Sequence, residues 1–591
     1  MRPSWNWKWL IVIAALGCPH SRTNAQTPSA DKCPRPTAGS TVPEPPDLRS
    51  ENGVLEVELA FRSFAGADGQ TRYCYLSPDG SEAPTLRLKP GDQLVLHLKN
   101  ELAVAAQSKG TSAGPSTPSM KMGMAGGSMA MPMSTAAASP CASPAMTAVS
   151  TNLHFHGLTI PAVCHQDDVM NTMIQPGDPP FEYRFQIPAD EPPGLYWYHP
   201  HIHGLTKAQV LGGASGAMIV EGIERTNHEL AGLPERVMIV RDQDLVNPNA
   251  APAVGIVALP PPVLDAEGDA MNTGTGSGKP AKDLSLNFVP VPYPNYPPAV
   301  IAMKPSERQL WRVLNASAIT YLNLQVLFGN APQALGVVGM DGVPVDENGM
   351  SGDQALWVKH VGVPPGGRME FIVKGPPEGV KGILVTRSVN TGAVGENDPE
   401  RTLANIVASA AAPEPRSKLA VSPQPLPPAT LPWIGNTKPV RTRRLYFSEI
   451  PQDPKDPNSP TTFMITVEGQ APKPFDMNTT VPNIVVQQGD VEDWIIENRT
   501  QELHDFHIHQ IHFMLMDWFG LHVDEPFLRD TVNVPFWDGK SPDFPMVKLR
   551  MDFRDPNSVG TFVYHCHLLE HEDGGMMGLI RVEPRSQSAT K

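Results

Sequence analysis

The sequence predicts an all-β protein built from three homologous domains in a row, and three observations carry that expectation. At 591 residues the chain is too long for a single core, and its 65 prolines and 49 glycines supply turns for many short strands. Residues 54–61 alternate, with Leu55, Val57, Leu59 and Phe61 on one side and Glu56 and Glu58 on the other, the pattern of a half-buried strand. One unit then recurs three times. LKPGDQLVLHLKN at 88–100 is matched by MKPSERQLWRVLN at 303–315 and by VQQGDVEDWIIEN at 486–498, and in each an acid (Asp92, Glu307, Asp490) precedes an Asn by eight positions. Copies a domain length apart mean repeated domains and exclude a solenoid, whose period is far shorter.

Taken in order, residues 1–25 read as an export signal. Lys8 closes a short basic region, the apolar run 9–17 is too short to span a bilayer as a helix, and Thr23-Asn24-Ala25 is a weak cleavage site. Residues 15–18 resemble a lipoprotein box with Ala15 where Leu is usual, which keeps a lipid anchor at Cys18 as the minor alternative. No other segment is expected to cross a membrane, so the protein is placed in the periplasm or outside the cell. Setting aside Cys18 and Cys566, four cysteines remain, an even number suited to an oxidising compartment. Three pairings are possible, and Cys33–Cys74 with Cys141–Cys164 is the one favoured. The net charge of −15 argues against nucleic acid as a partner.

The three domains are expected at 45–225, 230–412 and 438–585. Two Pro/Gly-rich stretches fall between motifs: 251–284, a long loop of the second domain, and 413–437, the linker to the third. An insertion at 105–150 interrupts the first domain. Its centre, residues 120–133, carries six Met among Gly, Ser, Ala and Pro, a composition that forms no packed core. Soft thioethers select Cu(I), so this segment is a candidate copper-collecting loop as well as a plain linker.

The chemistry concentrates in GTFVYHCHLLEHEDGGMM at 560–577. The β-branched and aromatic TFVY puts His565, Cys566 and His567 at the end of a strand, where side chains alternate. Cys566 therefore faces one way and the two histidines the other. One Cys, two His and a weak axial Met form the donor set of a blue-copper electron-transfer site. A structural zinc site would want more thiolates than this lone Cys. Four His-x-His pairs stand out along the chain: His154/His156, His199/His201, His507/His509 and His565/His567. Each aims two imidazoles at one face, and together they supply eight, enough to hold three coppers around one cavity. His504 lies three residues before His507 and can face a different metal. After Asn315, the middle domain reads Tyr321 to Val326 where the others carry histidines, so it is expected to bind no metal and to act as a spacer.

HFHG, WYHPHIHG, HDFHIH and HCHLLEHEDGGMM, in that order, resemble the four copper motifs of the multicopper oxidases. The resemblance covers nearly the whole chain after the signal, and residues 194–204 followed by Gln209-Val210 are similar to the bacterial cuprous-oxidase and laccase-like branch. It implies three cupredoxin-like Greek-key domains with a trinuclear copper cluster between the first and third. Carried over residue by residue, it assigns type 1 copper to His504, Cys566, His571 and axial Met576. Type 2 copper takes His154 and His507. The type 3 pair takes His156, His199, His201, His509, His565 and His567. His203 offers an alternative frame with His201, but Trp197-Tyr198 before His199 fits the family register. His165, His512 and His522 stay unassigned. Near the cluster the family keeps acids that supply protons, and Glu572, with Asp167 or Asp168, match those places. In the cuprous oxidases the Met-rich segment belongs to the third domain, whereas here it interrupts the first.

The resemblance thus implies a monomeric, exported oxidase with four coppers. It would take single electrons from Cu(I), phenols or aromatic amines and use four of them to reduce O2 to water, with copper tolerance as a possible role. Alternatives are a laccase with a purely organic substrate and a copper nitrite reductase. The latter also has cupredoxin domains and type 1 copper but does not need eight clustered imidazoles.

Overall fold

The computed structural model describes residues 33–103, 139–250, 262–345, 355–421 and 431–585, apart from positions 67, 143, 144, 267, 454, 457, 458, 524 and 526. The expected export signal, Cys18 and the Met-rich centre 120–133 lie outside the described residues.

The chain forms three consecutive cupredoxin-like sandwiches, each of two sheets closed on an apolar core. Their equivalence follows from the recurring unit, which becomes the same strand three times: Gln93–Asn100, Arg308–Asn315 and Val491–Asn498. Each pairs in parallel with an earlier strand of its unit (Val54–Ala65, Pro234–Gln243 and Arg441–Pro451), and each pairs antiparallel on its other edge. The recurring Asn explains why that residue type returns. The amides of Asn100, Asn315 and Asn498 each donate to two backbone carbonyls: Val149 and Ile174, Thr320 and Val363, and Glu502 and Val534. Each side-chain oxygen also accepts the backbone N–H two residues on. One short side chain thereby satisfies buried backbone groups where strand gives way to loop.

Each unit has its own core, and the first alternates over 54–61 as the sequence predicts. Leu55, Val57, Leu59 and Phe61 are buried in the first with Phe155 and Tyr198. Trp311, Val313 and Phe371 lie in the second, and Trp494, Ile496, Phe506 and Tyr564 in the third. Disulfides join Cys33 to Cys74 and Cys141 to Cys164, the favoured pairing. The Pro/Gly-rich stretch 251–284 ends inside a strand, Asp283–Leu286, where Asp283 accepts the backbone N–H groups of Val246 and Tyr293. Among the described residues no helix is long and apolar enough to cross a membrane.

Two strand pairs place the site. In the first unit His154–His156 pairs with Gly194–His199, so His154 lies opposite His199. In the third, His504–Ile508 pairs with Gly560–Cys566, so His507 lies opposite His565 and Phe506 opposite Cys566. The two pairs face one another across the contact between the units.

Candidate metal centre

The two central His-x-His strands meet in reverse register. The His154 ring stacks on His509 with centroids 3.7 Å apart, and His156 stacks on His507 at 3.9 Å. His199, His201, His565 and His567 close the ring around them. His201, His509 and His565 form one compact group, with His565 Nε2 at 3.4 Å from His201 Nε2 and 3.3 Å from His509 Nε2. His154, His156 and His199 form another group, and His154 also joins His507 and His509. His567 sits 5.0 Å from His156 between ring centroids. The structure thus brings all eight imidazoles together.

Most of these rings are anchored through one nitrogen. His154 Nδ1 is 2.9 Å from Asp167 Oδ2, and His156 Nε2 is 3.1 Å from Asp530 Oδ1. His199 Nδ1 faces the Pro200 carbonyl at 2.9 Å, and His507 Nδ1 faces the Asp530 carbonyl at 2.8 Å. The opposite nitrogens, His154 Nε2, His156 Nδ1, His199 Nε2 and His507 Nε2, are buried without a hydrogen-bond partner, as are both nitrogens of His567. Buried polar atoms are rarely left unpaired, and here, His567 apart, they belong to rings whose other nitrogen is fixed as a donor. Burial, reinforced by neighbouring imidazoles, pushes the pKa of these rings down, to about 3 for His199 and about 4 for His565. The neutral form with a free lone pair, the form that binds metal, is therefore the resting state.

Beside this cluster, His504 Nδ1 and His571 Nδ1 lie 3.6 and 3.7 Å from Cys566 Sγ and 3.2 Å from each other. Met576 is fully buried in the same core; its N–H donates to the His571 carbonyl, and its own carbonyl accepts from the Cys566 N–H. Cys566 is buried and free, and burial pushes its thiol pKa well up. A thiolate at this depth calls for a bound cation. The second nitrogens of the two histidines face carboxyls. His504 Nε2 is 2.9 Å from Glu449 Oε1, and His571 Nε2 is 3.5 Å from Glu502 Oε1.

The candidate proton groups separate clearly. Glu572 is fully buried, with Oε1 3.1 Å from the Thr206 hydroxyl and 3.6 Å from His201 Nδ1, and Oε2 3.4 Å from His565 Nδ1. Burial, then the Asp573 charge, holds its pKa well above the carboxylate range. Asp167 turns inward, accepting from the Phe155 N–H and the Gln510 amide as well as meeting His154. Asp168 turns away and accepts from the backbone and side chain of Asn171, so the carboxyl beside His154 belongs to Asp167. His203 packs edge-on against Phe475, and His165 is exposed and stacked on Phe181. His522 is exposed, and His512 is buried with Nε2 3.2 Å from the Asp341 carbonyl.

Sequence reasoning missed Asp530, Arg368, Asp341 and Gln510. Gln510 directly follows His509 and was within reach of a motif-based reading. Asp530 directly precedes an ordinary strand, Thr531–Val534, and Arg368 and Asp341 lie in the unit without a His-x-His pair, so no spacing pointed to them.

Eight converging neutral imidazoles, beside a buried thiol flanked by two more, suit a redox-active, borderline-soft metal, and this is the constitution of a copper oxidoreductase. Comparison with known proteins gives the same class. Two family models, both described as multicopper oxidase, match residues 146–225 and 453–586. The chain is 22% identical to the "Multicopper oxidase mco" of Staphylococcus aureus over 440 residues, 73% of this chain and 77% of that protein. It is 21% identical to the "Laccase" of Bacillus subtilis over 406 residues, 66% of this chain and 71% of the laccase. Among solved structures, a multicopper oxidase of Campylobacter jejuni described as a metallo-oxidase superposes with TM-score 0.61 at 22% identity, covering 93% of this chain and 96% of the other. The McoA multicopper oxidase of Aquifex aeolicus gives 0.60 at 19%, covering 92% and 100%. The two matched segments and the curated relatives support an oxidoreductase of the multicopper oxidase type, with copper as the metal and O2 as the electron acceptor.

Proposed function

We propose that this protein is an exported four-copper oxidase that couples one-electron oxidation of a small reductant to reduction of O2 to water. The domains are 45–225, 230–412 and 438–585, the first and third carrying metal. His504, Cys566, His571 and Met576 hold type 1 copper, and His154 and His507 hold type 2. His156, His199, His201, His509, His565 and His567 hold the type 3 pair. Copper in these positions supplies single-electron transfer at the first site and four-electron reduction of O2 at the cluster.

The observation that carries the reading is Cys566 standing between His565 and His567 on one strand end, its side chain turned to His504 and His571 while theirs turn to the cluster. One peptide bond on either side joins the two sites, a covalent path of a few bonds. Around the cluster the chain excludes water, fixes imidazole tautomers and holds protons: Glu572 at His565 and His201, and Asp167 at His154.

Two readings of the reductant remain, Cu(I) and phenols or aromatic amines. Glu449 at Nε2 of His504 favours a cation, and with the Met-rich segment 120–133 it supports Cu(I), and hence copper tolerance. Copper quantification with oxygen uptake tests the oxidase reading, and a nitrite-reducing protein without oxygen uptake would refute it. Kinetics on Cu(I) and on a phenol side by side, with excess copper controlled, decides the substrate. A kcat/KM no higher for Cu(I) than for the phenol would reject the Cu(I) assignment.

A further inference from the structure

The middle unit contributes no histidine to the cluster, yet it reaches it. Arg368, on the middle-unit strand Arg368–Lys374, is fully buried and binds both carboxylate oxygens of Asp530 in the third unit, Nη1 to Oδ1 at 2.7 Å and Nη2 to Oδ2 at 2.5 Å. Its Nε donates to the Leu195 carbonyl of the first unit at 3.1 Å. One guanidinium therefore ties all three units together. The ion pair is bidentate, which fixes orientation as well as position.

Asp530 passes that orientation to two rings. Oδ1, the oxygen held by Arg368 Nη1, is 3.1 Å from His156 Nε2, and the main-chain carbonyl is 2.8 Å from His507 Nδ1. These contacts make His156 a donor at Nε2 and His507 a donor at Nδ1. The nitrogens left with lone pairs, His156 Nδ1 and His507 Nε2, are two of the buried atoms without a partner. The middle unit holds the same segment a second time. Asp341 Oδ2 accepts from the Asp530 N–H at 3.3 Å, the Thr531 N–H at 3.1 Å and the Thr531 hydroxyl at 2.8 Å, while Asp341 Oδ1 accepts the Arg368 N–H at 2.9 Å. Gly366, two residues before Arg368, lies so close to His567 that a Cβ there would sit 2.7 Å from the ring, and its φ of +77° is one that glycine adopts without strain. The expected spacer is thus in contact with the cluster.

We infer that Arg368 is a positioning residue for the oxygen-reducing cluster: through Asp530 it sets the tautomer and aim of His156 and His507, so that loading of the cluster depends on docking of the middle unit. This rests on the copper-ligand assignment proposed above. It predicts that the cluster and the Cys566 site respond differently to the same change. The Cys566 site draws its donors from the third unit alone, and Arg368 touches none of them.

The test uses the full-length protein, purified and copper-loaded, as wild type, Arg368→Met, Arg368→Lys and Asp530→Asn. Three quantities are read: coppers per chain, the blue thiolate absorption, and the electron paramagnetic resonance signal of type 2 copper. Melting of the copper-free proteins gives a fourth. Arg368→Met should keep the blue absorption while binding copper at the cluster about 10–100-fold more weakly, the usual cost of losing the partner that orients a ligand. Arg368→Lys, which restores charge but not the fork, should recover part of that loss. Asp530→Asn has nearly the same shape and puts an N–H where either Arg368 or His156 needs an acceptor, so it should also lose cluster copper even if Arg368→Met fails to fold. Variants that melt lower without copper yet load the full complement with a wild-type type 2 signal would overturn the inference, because Arg368 would then be only a structural clamp. A wild type without blue colour or cluster copper would instead refute the ligand assignment itself, which separates the two failures.

Discussion

Glu572 Oε2 lies 3.4 Å from His565 Nδ1, which puts a buried carboxyl against a ring of the cluster. Burial keeps that carboxyl protonated well above the ordinary range. Reduction of O2 to water consumes four protons, and a positioned acid contributes on the order of 10²–10⁴ in rate. Glu572→Gln should therefore retain full copper and colour while its reduced form is reoxidised by O2 slower by roughly that factor. Stopped-flow reoxidation from pH 5 to 8 checks this. A wild-type rate throughout would move the role to Asp167, which meets His154 on the other side of the cluster.

Cys566→Ser removes the one soft donor of the His504–Cys566–His571 group. The blue absorption and oxidase activity should vanish, while copper at the eight imidazoles largely remains, since none of their anchoring contacts involves the thiol. Metal analysis with visible absorption reads both, and a blue serine variant would sink the type 1 assignment.

Deleting residues 120–133 should raise KM for Cu(I) and leave phenol oxidation similar or faster, if the segment collects Cu(I). Unchanged Cu(I) kinetics would return it to the role of a linker. The fold should tolerate the change, because the cost of closing a surface loop depends only weakly on its length.

Glu191 gives a pH prediction away from the metal ligands. It is buried with the Thr159 N–H as a donor, and burial pushes its carboxyl up to about 8. The folded state then holds a proton that the unfolded chain releases near pH 4.5. Its contribution is fully present below that value and is lost as pH rises toward 8, at up to about 1.4 kcal/mol per pH unit. Glu191→Gln should thus gain on the wild type with rising pH. Denaturant unfolding at pH 5, 6, 7 and 8 measures the difference, and a gap constant with pH would show that Glu191 is not buried in its acid form.

Much of this molecule was legible before any coordinates, because much of its chemistry is local. Alternation along a strand is a backbone property, so His565 and His567 had to part from Cys566, and each His-x-His pair had to aim one way. The recurrence of Asn100, Asn315 and Asn498 fixed three equivalent units, since each serves the same buried backbone groups. Which rings face each other was decided only by tertiary structure: nothing in the spacing sets His154 on His509 or His156 on His507. Nor could composition choose between Asp167 and Asp168, adjacent acids that differ only in whether the turn points them at His154 or at Asn171. Arg368 and Asp530 are 162 positions apart in different units. Their ion pair exists because the packing of those units buries both charges in one place, and a sequence read in windows carries no record of that.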